Sequence, residues 1–134
     1  MSIYESNYKK LDKIIPGGIE NFLSGPVTSY KLKAEGYMDL NIEKIGDCKL
    51  ALSHYGKQNG DCMADPDMEI RIHREMKMIE ALTFQNDYMG VYQVVYPEPG
   101  KVYPKLKKEL NSFLNQWLTN IKHQGHKLVE KEAS

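Results

Sequence analysis

The stretch that most constrains the fold is the run from Gln58 to Ile70, which lies mid-chain between two strand-like segments. Asn59-Gly60 is the strongest short signal for a β-hairpin, because both central residues of a type I′ turn need a positive φ. Pro66 marks a second break, since proline has no N–H to donate to a sheet ladder. The sequence therefore predicts a tight reversal followed closely by an irregularity in the second strand.

The pairing around this turn predicts a β-bulge. Continuing the pairing from the turn without a break puts Leu52 opposite Asp67, which mixes apolar and acidic side chains on one sheet face. A single-residue bulge just before Asp67 removes the conflict, because it sets Leu52 against Met68. The same bulge is expected to bring His54 and Asp65 close together at the rim of the core.

Helical and strand periodicities place the other elements. Ser2 is a predicted N-cap for an N-terminal helix, and a long C-terminal helix is predicted from Pro104 to a stop at Gly125. Alternation of apolar and polar residues predicts about five antiparallel strands between residues 36 and 96, after a loop over 26–36 with room for one short strand. The fold class is therefore α+β: an antiparallel β-meander of about five strands, with both helices flanking it and the long C-terminal helix packed on one face.

Length and composition limit the possible domain organisation and the possible classes of function. The 134 residues suffice for a single α+β domain, predicted over 1–125, and the charged, small residues of 126–134 are expected to form a disordered tail. The formal net charge is zero, so no global field attracts nucleic acid or an anionic membrane. Neither a membrane span nor a signal-peptide core is visible, and a cytoplasmic protein with two reduced cysteines is expected.

Acidic residues around the turn form the main candidate functional cluster, together with one histidine. The cluster consists of His54, Asp61, Asp65, Asp67 and Glu69. Carboxylate oxygens with an imidazole are a ligand set that Mg²⁺ or Mn²⁺ would use, but the spacing matches neither an EF-hand nor a zinc pattern. Local hydrogen bonds from the aspartates to turn backbone explain the same residues structurally. The structural interpretation is favoured, and no metal or other cofactor is expected.

His54 lies on an apolar strand face, where a core histidine with satisfied hydrogen bonds is commoner than a catalytic base. A pair with Asp65 would fix its tautomer and raise its pKa relative to an unpaired buried histidine. No serine or cysteine nucleophile is evident beside it, so no catalytic residue is assigned. Tyr55, Tyr92 and Tyr96 form a candidate contact surface, whose rings could pack on a protein or stack on bases.

The motif N-G-D-x-M-x-D-P-D-M-E, which covers residues 59–69, resembles an uncharacterised bacterial domain family. His54-Tyr55 precedes the motif and the run Glu80–Gln85 follows it, and the similarity spans roughly residues 36–96. That family is associated with Firmicutes plasmids, phages and integrative elements. The resemblance implies a cytoplasmic accessory protein of mobile DNA, and it supplies no catalytic residues.

The leading hypothesis is a non-catalytic binding or accessory protein, such as an accessory or counter-defence factor of a mobile genetic element. It follows from the missing catalytic constellation and the tyrosine-rich strands. One alternative is a divalent-metal-dependent enzyme with Asp61, Asp65, Asp67 and His54 as ligands. A further alternative is nucleic-acid binding by the lysines of the C-terminal segment, which are Lys101, Lys105, Lys107 and Lys108. A protein partner is favoured over nucleic acid, no membrane is expected, and a homodimer stays open.

Overall fold

The computed structural model describes residues 1–133 and contains an antiparallel sheet with three helices on one face. The helices are α1 (Ile3–Ile14), α2 (Ile19–Ser24) and α3 (Pro104–Gln124). The strands are β1 (Val27–Lys33), β2 (Leu40–Gly46), β3 (Lys49–Gln58), β4 (Asp61–His73), β5 (Met78–Ala81), β6 (Thr83–Asn86), β7 (Val91–Val94) and β8 (Lys127–Ala133). The strand order is β7-β6-β4-β3-β2-β1-β8, and β5 pairs with the end of β4. The predicted α+β class is confirmed.

Local signals in the sequence set the ends of the two longer helices. The predicted capping box starts α1: the Ser2 hydroxyl accepts from the Glu5 N–H at 3.2 Å, and the Glu5 carboxylate accepts from the Ser2 N–H at 3.0 Å. Pro104 is the first residue of α3, and Gly125 ends it with φ of 77°, a conformation that favours glycine. None of the helices within residues 1–133 has the length and apolar character needed to cross a bilayer.

The β3–β4 hairpin contains the predicted turn and bulge. The two turn residues have φ of 54° and 85°. Tyr55 pairs with Ala64, whereas Ser53 pairs with Asp67, so residues 65 and 66 lie opposite the single residue 54. Beyond the bulge, the core-facing residues of both strands meet in the predicted register, Leu52 opposite Met68 and Leu50 opposite Ile70. All four of these side chains are fully buried.

The core lies between the helices and the inner face of the sheet. It takes alternate strand residues together with one side of each helix, and α3 contributes Leu110, Leu114, Trp117, Leu118 and Ile121. Phe113 belongs to the same apolar stripe of α3 in the sequence, but it is not one of the core residues. Phe113 is 40% exposed and meets Phe84 edge-on, with ring centroids 5.2 Å apart, because it lies at the side of the helix.

The sheet has eight strands, more than the five or so predicted. One of the additional strands, β1, lies in the predicted loop over 26–36, where the sequence left room for a short strand, and its Tyr30 and Leu32 reach the core. The most distant addition is β8, which pairs antiparallel with β1 where the sequence predicted a disordered tail. All seven residues of β8 are exposed, so no burial pattern marks it in the sequence, and main-chain pairing holds it in place. Ser134, the last residue of the predicted tail, lies outside the described residues.

Candidate binding site

The sheet face opposite the helices is polar, and no helix of the described chain covers it. Side chains alternate along a strand, so residues between core positions point to this second face. We call it the open face. On its central strands it presents Ser29, Lys31, Asn41, Glu43, Ala51, Ser53, Asp67, Glu69 and Arg71. The predicted contact tyrosines, Tyr55, Tyr92 and Tyr96, are 41%, 62% and 39% exposed and border it at separate points rather than in one patch.

A groove of about 420 Å³, here called the sheet groove, crosses the open face from β8 to β4. Its floor consists of small side chains, which are Ser29, Ala51 and Ser53. Ser53 is buried although no helix lies over it, so longer neighbouring side chains shield it. Five strands span roughly 19 Å at the usual separation of neighbouring strands. The groove is therefore long enough for an extended peptide segment.

Carboxylates dominate the charge of the sheet groove. They belong to Glu43, Asp67, Glu130 and Glu132. The Lys31 Nζ lies 4.0 Å from the Glu130 Oε2, so the charge of this lysine is paired within the groove. The Lys44 ammonium donates instead to the Gly25 carbonyl at 3.0 Å. Lys131 is the remaining lysine that lines the groove. The groove therefore favours a basic occupant.

Tyr55 lies beside Asp67 in the sheet groove. Its hydroxyl donates a short hydrogen bond to the Asp67 Oδ2. Burial, together with this hydrogen bond and the Asp67 charge, raises the pKa of Tyr55. The phenol is therefore neutral at physiological pH and acts as a hydrogen-bond donor to the Asp67 carboxylate.

A second hollow of about 360 Å³, here called the β5 cavity, opens on the same face where β4 meets β5 and β6. Its lining comprises the polar side chains of Lys49, Glu69, Arg71, Glu80, Thr83 and Tyr96 and the apolar side chains of Leu82 and Val94. The candidate residues Glu69 and Tyr96 thus meet here rather than at the acidic turn.

Glu80 is a buried carboxylate with three partners. The His73 Nε2 lies 2.9 Å from its Oε1, the Tyr96 hydroxyl donates to its Oε2 at 2.8 Å, and the Lys107 ammonium lies 3.5 Å from that same oxygen. Burial alone would raise the pKa of Glu80, but the hydrogen bonds from Tyr96 and His73 and the charge of Lys107 outweigh it and lower the pKa. Glu80 is therefore ionised at neutral pH, and its oxygens are occupied.

His54 has both ring nitrogens satisfied. Its Nδ1 lies 2.9 Å from the Asp39 carbonyl oxygen, and the Trp117 indole N–H donates to its Nε2 at 2.9 Å. Burial lowers the pKa of His54, and the charge of Asp65 offsets only part of this effect. No hydrogen bond joins His54 to Asp65, whose Oδ1 instead accepts from the Asn86 amide at 3.0 Å. The predicted pair is not formed, and His54 is a core histidine.

The acidic residues considered as metal ligands do not converge. Asp61 is exposed beside the turn, Asp65 is bonded to Asn86, and Asp67 is bonded to Tyr55. Across residues 1–133, no group of three or more histidine, cysteine, aspartate or glutamate side chains is arranged to hold a metal ion. The ligand set of the metal-enzyme hypothesis is therefore not assembled.

The lysines considered for nucleic-acid binding are largely paired. Three of the four lie within 4.0 Å of a carboxylate: Lys101 near Glu98, Lys105 near Glu109 and Lys107 near Glu80. A continuous basic stripe, as a phosphate backbone requires, does not arise from residues already compensated in this way.

Sequence reasoning missed Glu80 as a functional residue. It lies in the apolar run around Ile79 and Ala81, which the sequence assigned to a covered strand. A carboxylate in such a run requires hydrogen-bond partners, because burying an unpaired charge is costly. This requirement could have marked Glu80 as unusual in the sequence. Its partners could not be identified in the same way, because Tyr96 and Lys107 come from other segments of the chain.

Comparison with known proteins places most of the described chain in one family. A family described as a domain of unknown function (DUF6908) matches residues 9–127, a range that includes most of α1, all of α2 and α3, and strands β1 to β7. The expected similarity covered only the middle of the chain, roughly residues 36–96. Neither a curated protein nor a solved structure matches the sequence.

Proposed function

The chain belongs to the family described as a domain of unknown function, DUF6908, and we propose that it is a non-catalytic binding protein whose sheet groove holds an extended, basic segment of a partner protein. The observation that supports this is the groove itself, a depression of about 420 Å³ across a sheet face without a helix over it. Its small floor residues and acidic walls suit a chain laid across the strands.

The dimensions and chemistry of the groove define the occupant. A groove of roughly 19 Å accommodates about six extended residues at roughly 3.3 Å each. The hydroxyls of Ser29 and Ser53 and the amide of Asn41 offer hydrogen bonds to a peptide backbone. The carboxylates of Glu43 and Glu132 offer charge partners for lysine or arginine, which favours specificity and fast association.

The state of the two most chemically suggestive side chains supports binding rather than catalysis. Both ring nitrogens of His54 and both carboxylate oxygens of Glu80 are occupied by partners from the chain itself. A general base needs a free acceptor within hydrogen-bond reach of the substrate proton. The one lone pair on the His54 Nε2 is taken by Trp117, and each Glu80 oxygen already has a partner from the chain.

The cellular setting that we propose is bacterial and cytoplasmic, with the protein acting as an accessory or counter-defence factor of a mobile element. This part of the proposal rests on the resemblance carried by residues 59–69. A basic protein segment is the kind of surface that DNA-handling proteins present, so an acidic groove suits a factor that binds them.

A peptide titration tests the proposed function. A labelled six- to eight-residue peptide of alternating lysine and serine should bind the protein with an affinity that falls as salt is added, and the matching glutamate–serine peptide should not bind. The double variant E43K/E132K should weaken binding at least tenfold. Its matched control is E75K, since Glu75 is an exposed acid in the β4–β5 turn, outside the groove lining.

Three outcomes would contradict the proposal: no binding of the lysine peptide, equal binding of both peptides, or equal losses in E43K/E132K and E75K. The natural partner can then be sought by comparing what the wild type, E43K/E132K and E75K retain from host extract. Proteins that both the wild type and E75K retain, but the groove variant loses, are the candidates, and they should carry an exposed basic segment.

A further inference from the structure

We propose that the β5 cavity binds the oxyanion of a small organic ligand, a carboxylate or phosphate group carried on a flat apolar body. The site is separate from the sheet groove, and the proposal does not depend on it. It rests on a pair of cations, Lys49 and Arg71, which are ladder partners, both line the cavity, and form no ion pair with a carboxylate of the described chain.

The two cations lie next to each other on the open face. Lys49 on β3 and Arg71 on β4 are direct partners in the ladder, so their side chains leave the open face side by side. Like charges directly opposite each other destabilise a sheet. Within residues 1–133, neither side chain takes part in an ion pair. The pair is a cost to the free protein that a bound anion would remove.

The carboxylate placed to compensate Arg71 is engaged elsewhere. Glu80 on β5 is the direct ladder partner of Arg71 on the other side. Its oxygens are instead occupied by His73, Tyr96 and Lys107. The guanidinium therefore keeps its planar set of N–H donors, which match the two oxygens of a carboxylate or phosphate.

The side chains that line the cavity leave an excess of positive charge and free hydrogen-bond donors. Glu80 is neutralised by Lys107, so Glu69 is the remaining carboxylate in the lining against the two cations. The Thr83 hydroxyl accepts from the Glu69 N–H at 3.0 Å, which leaves its own proton free to donate. The cavity thus has an excess of one positive charge and three donor groups.

The volume and lining of the cavity limit the size and shape of the ligand. A volume of about 360 Å³ is in the range of small-molecule sites, which run from roughly 300 to 1,000 Å³. Leu82 and Val94 give the cavity an apolar side. The Tyr96 ring is fixed there because its hydroxyl is bound to Glu80. A flat body can pack between these groups while its oxyanion meets Arg71.

Titration with four probes tests the proposal, monitored by amide chemical shifts or calorimetry. Benzoate and phenyl phosphate should bind saturably, the tighter one identifying the preferred oxyanion, and both should bind more tightly than inorganic phosphate, which lacks the flat body. Benzylamine, the cationic counterpart of benzoate, should not bind. Failure of both aromatic anions to saturate at millimolar concentration, or equal binding of benzylamine, would overturn the proposal.

Substitutions in the cavity give effects of opposite sign. Arg71→Gln should weaken binding of the better anion at least tenfold, whereas Glu69→Gln should tighten it severalfold by removing the competing negative charge. Two control variants, E43K in the sheet groove and Lys101→Gln on the surface, should leave anion binding unchanged. Unchanged binding in E43K would show that the β5 cavity acts independently of the sheet groove. Unchanged binding in Arg71→Gln, or weaker binding in Glu69→Gln, would count against the proposal.

The ligand-free protein offers an independent measurement. Since Lys49 and Arg71 repel each other without an anion, Arg71→Gln should unfold at a higher temperature than the wild type in buffer without carboxylate or phosphate. Addition of the better anion should reverse that order, because it binds the wild type more tightly and therefore stabilises it more than the variant. A variant that melts below the wild type in the ligand-free buffer would mean that the cations are not in conflict, and the proposal would fall.

Discussion

The indole N–H of Trp117 donates a 2.9 Å hydrogen bond to the Nε2 of His54 and thereby fixes the imidazole in its neutral form. The indole is a donor only, so Nε2 must be unprotonated, and the ring proton lies on Nδ1, where it is donated to the Asp39 carbonyl. Protonation of Nε2 would set two donors against each other. This contact joins α3 to the sheet and makes their packing sensitive to acid.

The state of His54 predicts a loss of stability on acidification. Burial lowers the folded-state pKa of His54 below its ordinary value of 6.5. The unfolded chain therefore binds the proton first, so the free energy of unfolding is highest above that value and falls as the pH decreases below it toward the folded-state pKa. His54→Gln should lose less stability than the wild type between pH 7 and pH 5, because glutamine can both accept from Trp117 and donate to Asp39.

Melting temperatures of the two proteins across that pH range measure the effect. His123→Gln is the matched control, because His123 is exposed near the end of α3. Its melting curve should shift with pH as the wild type does. If the melting temperatures of His54→Gln and the wild type fell equally between pH 7 and pH 5, the assigned tautomer of His54 would be contradicted.

The Glu80 network predicts a second, separate pH effect. Glu80→Gln leaves Tyr96, His73 and Lys107 without their carboxylate and should lower the free energy of unfolding at pH 7 by about 1–3 kcal/mol. The folded-state pKa of Glu80 lies below its ordinary value of 4.5. The contribution is therefore complete above that value and is lost as the pH falls through the folded-state pKa.

Denaturant unfolding of the wild type and Glu80→Gln at pH 7 and at pH 3.5 tests this. The difference between the two proteins should shrink at the lower pH. Glu109→Gln removes an exposed glutamate of α3 and should have little effect at either pH. A gap between wild type and Glu80→Gln that stays constant with pH would show that the carboxylate charge is not what stabilises the network.

A buried amide predicts a large effect for one polar-to-apolar change. Asn111 is fully buried in α3, where its Oδ1 accepts from the Ala81 backbone N–H at 2.9 Å and its Nδ2 donates to the Lys107 carbonyl at 2.8 Å. Asn111→Leu should cost about 1–3 kcal/mol, because it leaves the Ala81 N–H unsatisfied. The same substitution at exposed Asn120 should have little effect in denaturant unfolding. Equal effects at both positions would refute this role.

The packing of α3 predicts unequal costs for two apolar truncations. Leu118 is 0% exposed, so Leu118→Ala should lower the free energy of unfolding by about 2–5 kcal/mol. Phe113→Ala removes more atoms, yet it should cost less, because that ring is largely outside the core. Denaturant unfolding of both variants gives the comparison, and a larger loss for Phe113→Ala would contradict the described position of the helix.

The sequence predicted the β3–β4 hairpin correctly because its information is local. The turn residues need a positive φ, and the alternation of Leu50 and Leu52 with polar neighbours admits only one register against Met68 and Ile70. The need for a bulge follows from these two facts. The ends of α1 and α3 were predictable for the same reason, since capping residues act within one helical turn.

The candidate site was less predictable because its parts meet only in the folded chain. Glu69 was already a candidate residue in the sequence, but the pairing of Glu80 with Tyr96 and Lys107 depends on the position of α3. The fate of His54 depended on Trp117, which lies far away along the chain. The strand β8 lacks any buried residue, so its sequence resembles that of a tail.

The pairing of β8 with β1 has a consequence for biosynthesis. β1 leaves the ribosome before every other strand of the described sheet, whereas its outer neighbour β8 follows last. Until β8 is synthesised, the β1 edge of the sheet is therefore unpaired and can pair with other nascent chains. In a variant truncated before Lys127 the β1 edge would stay unpaired. We expect this variant to aggregate while the rest of its structure is still folded.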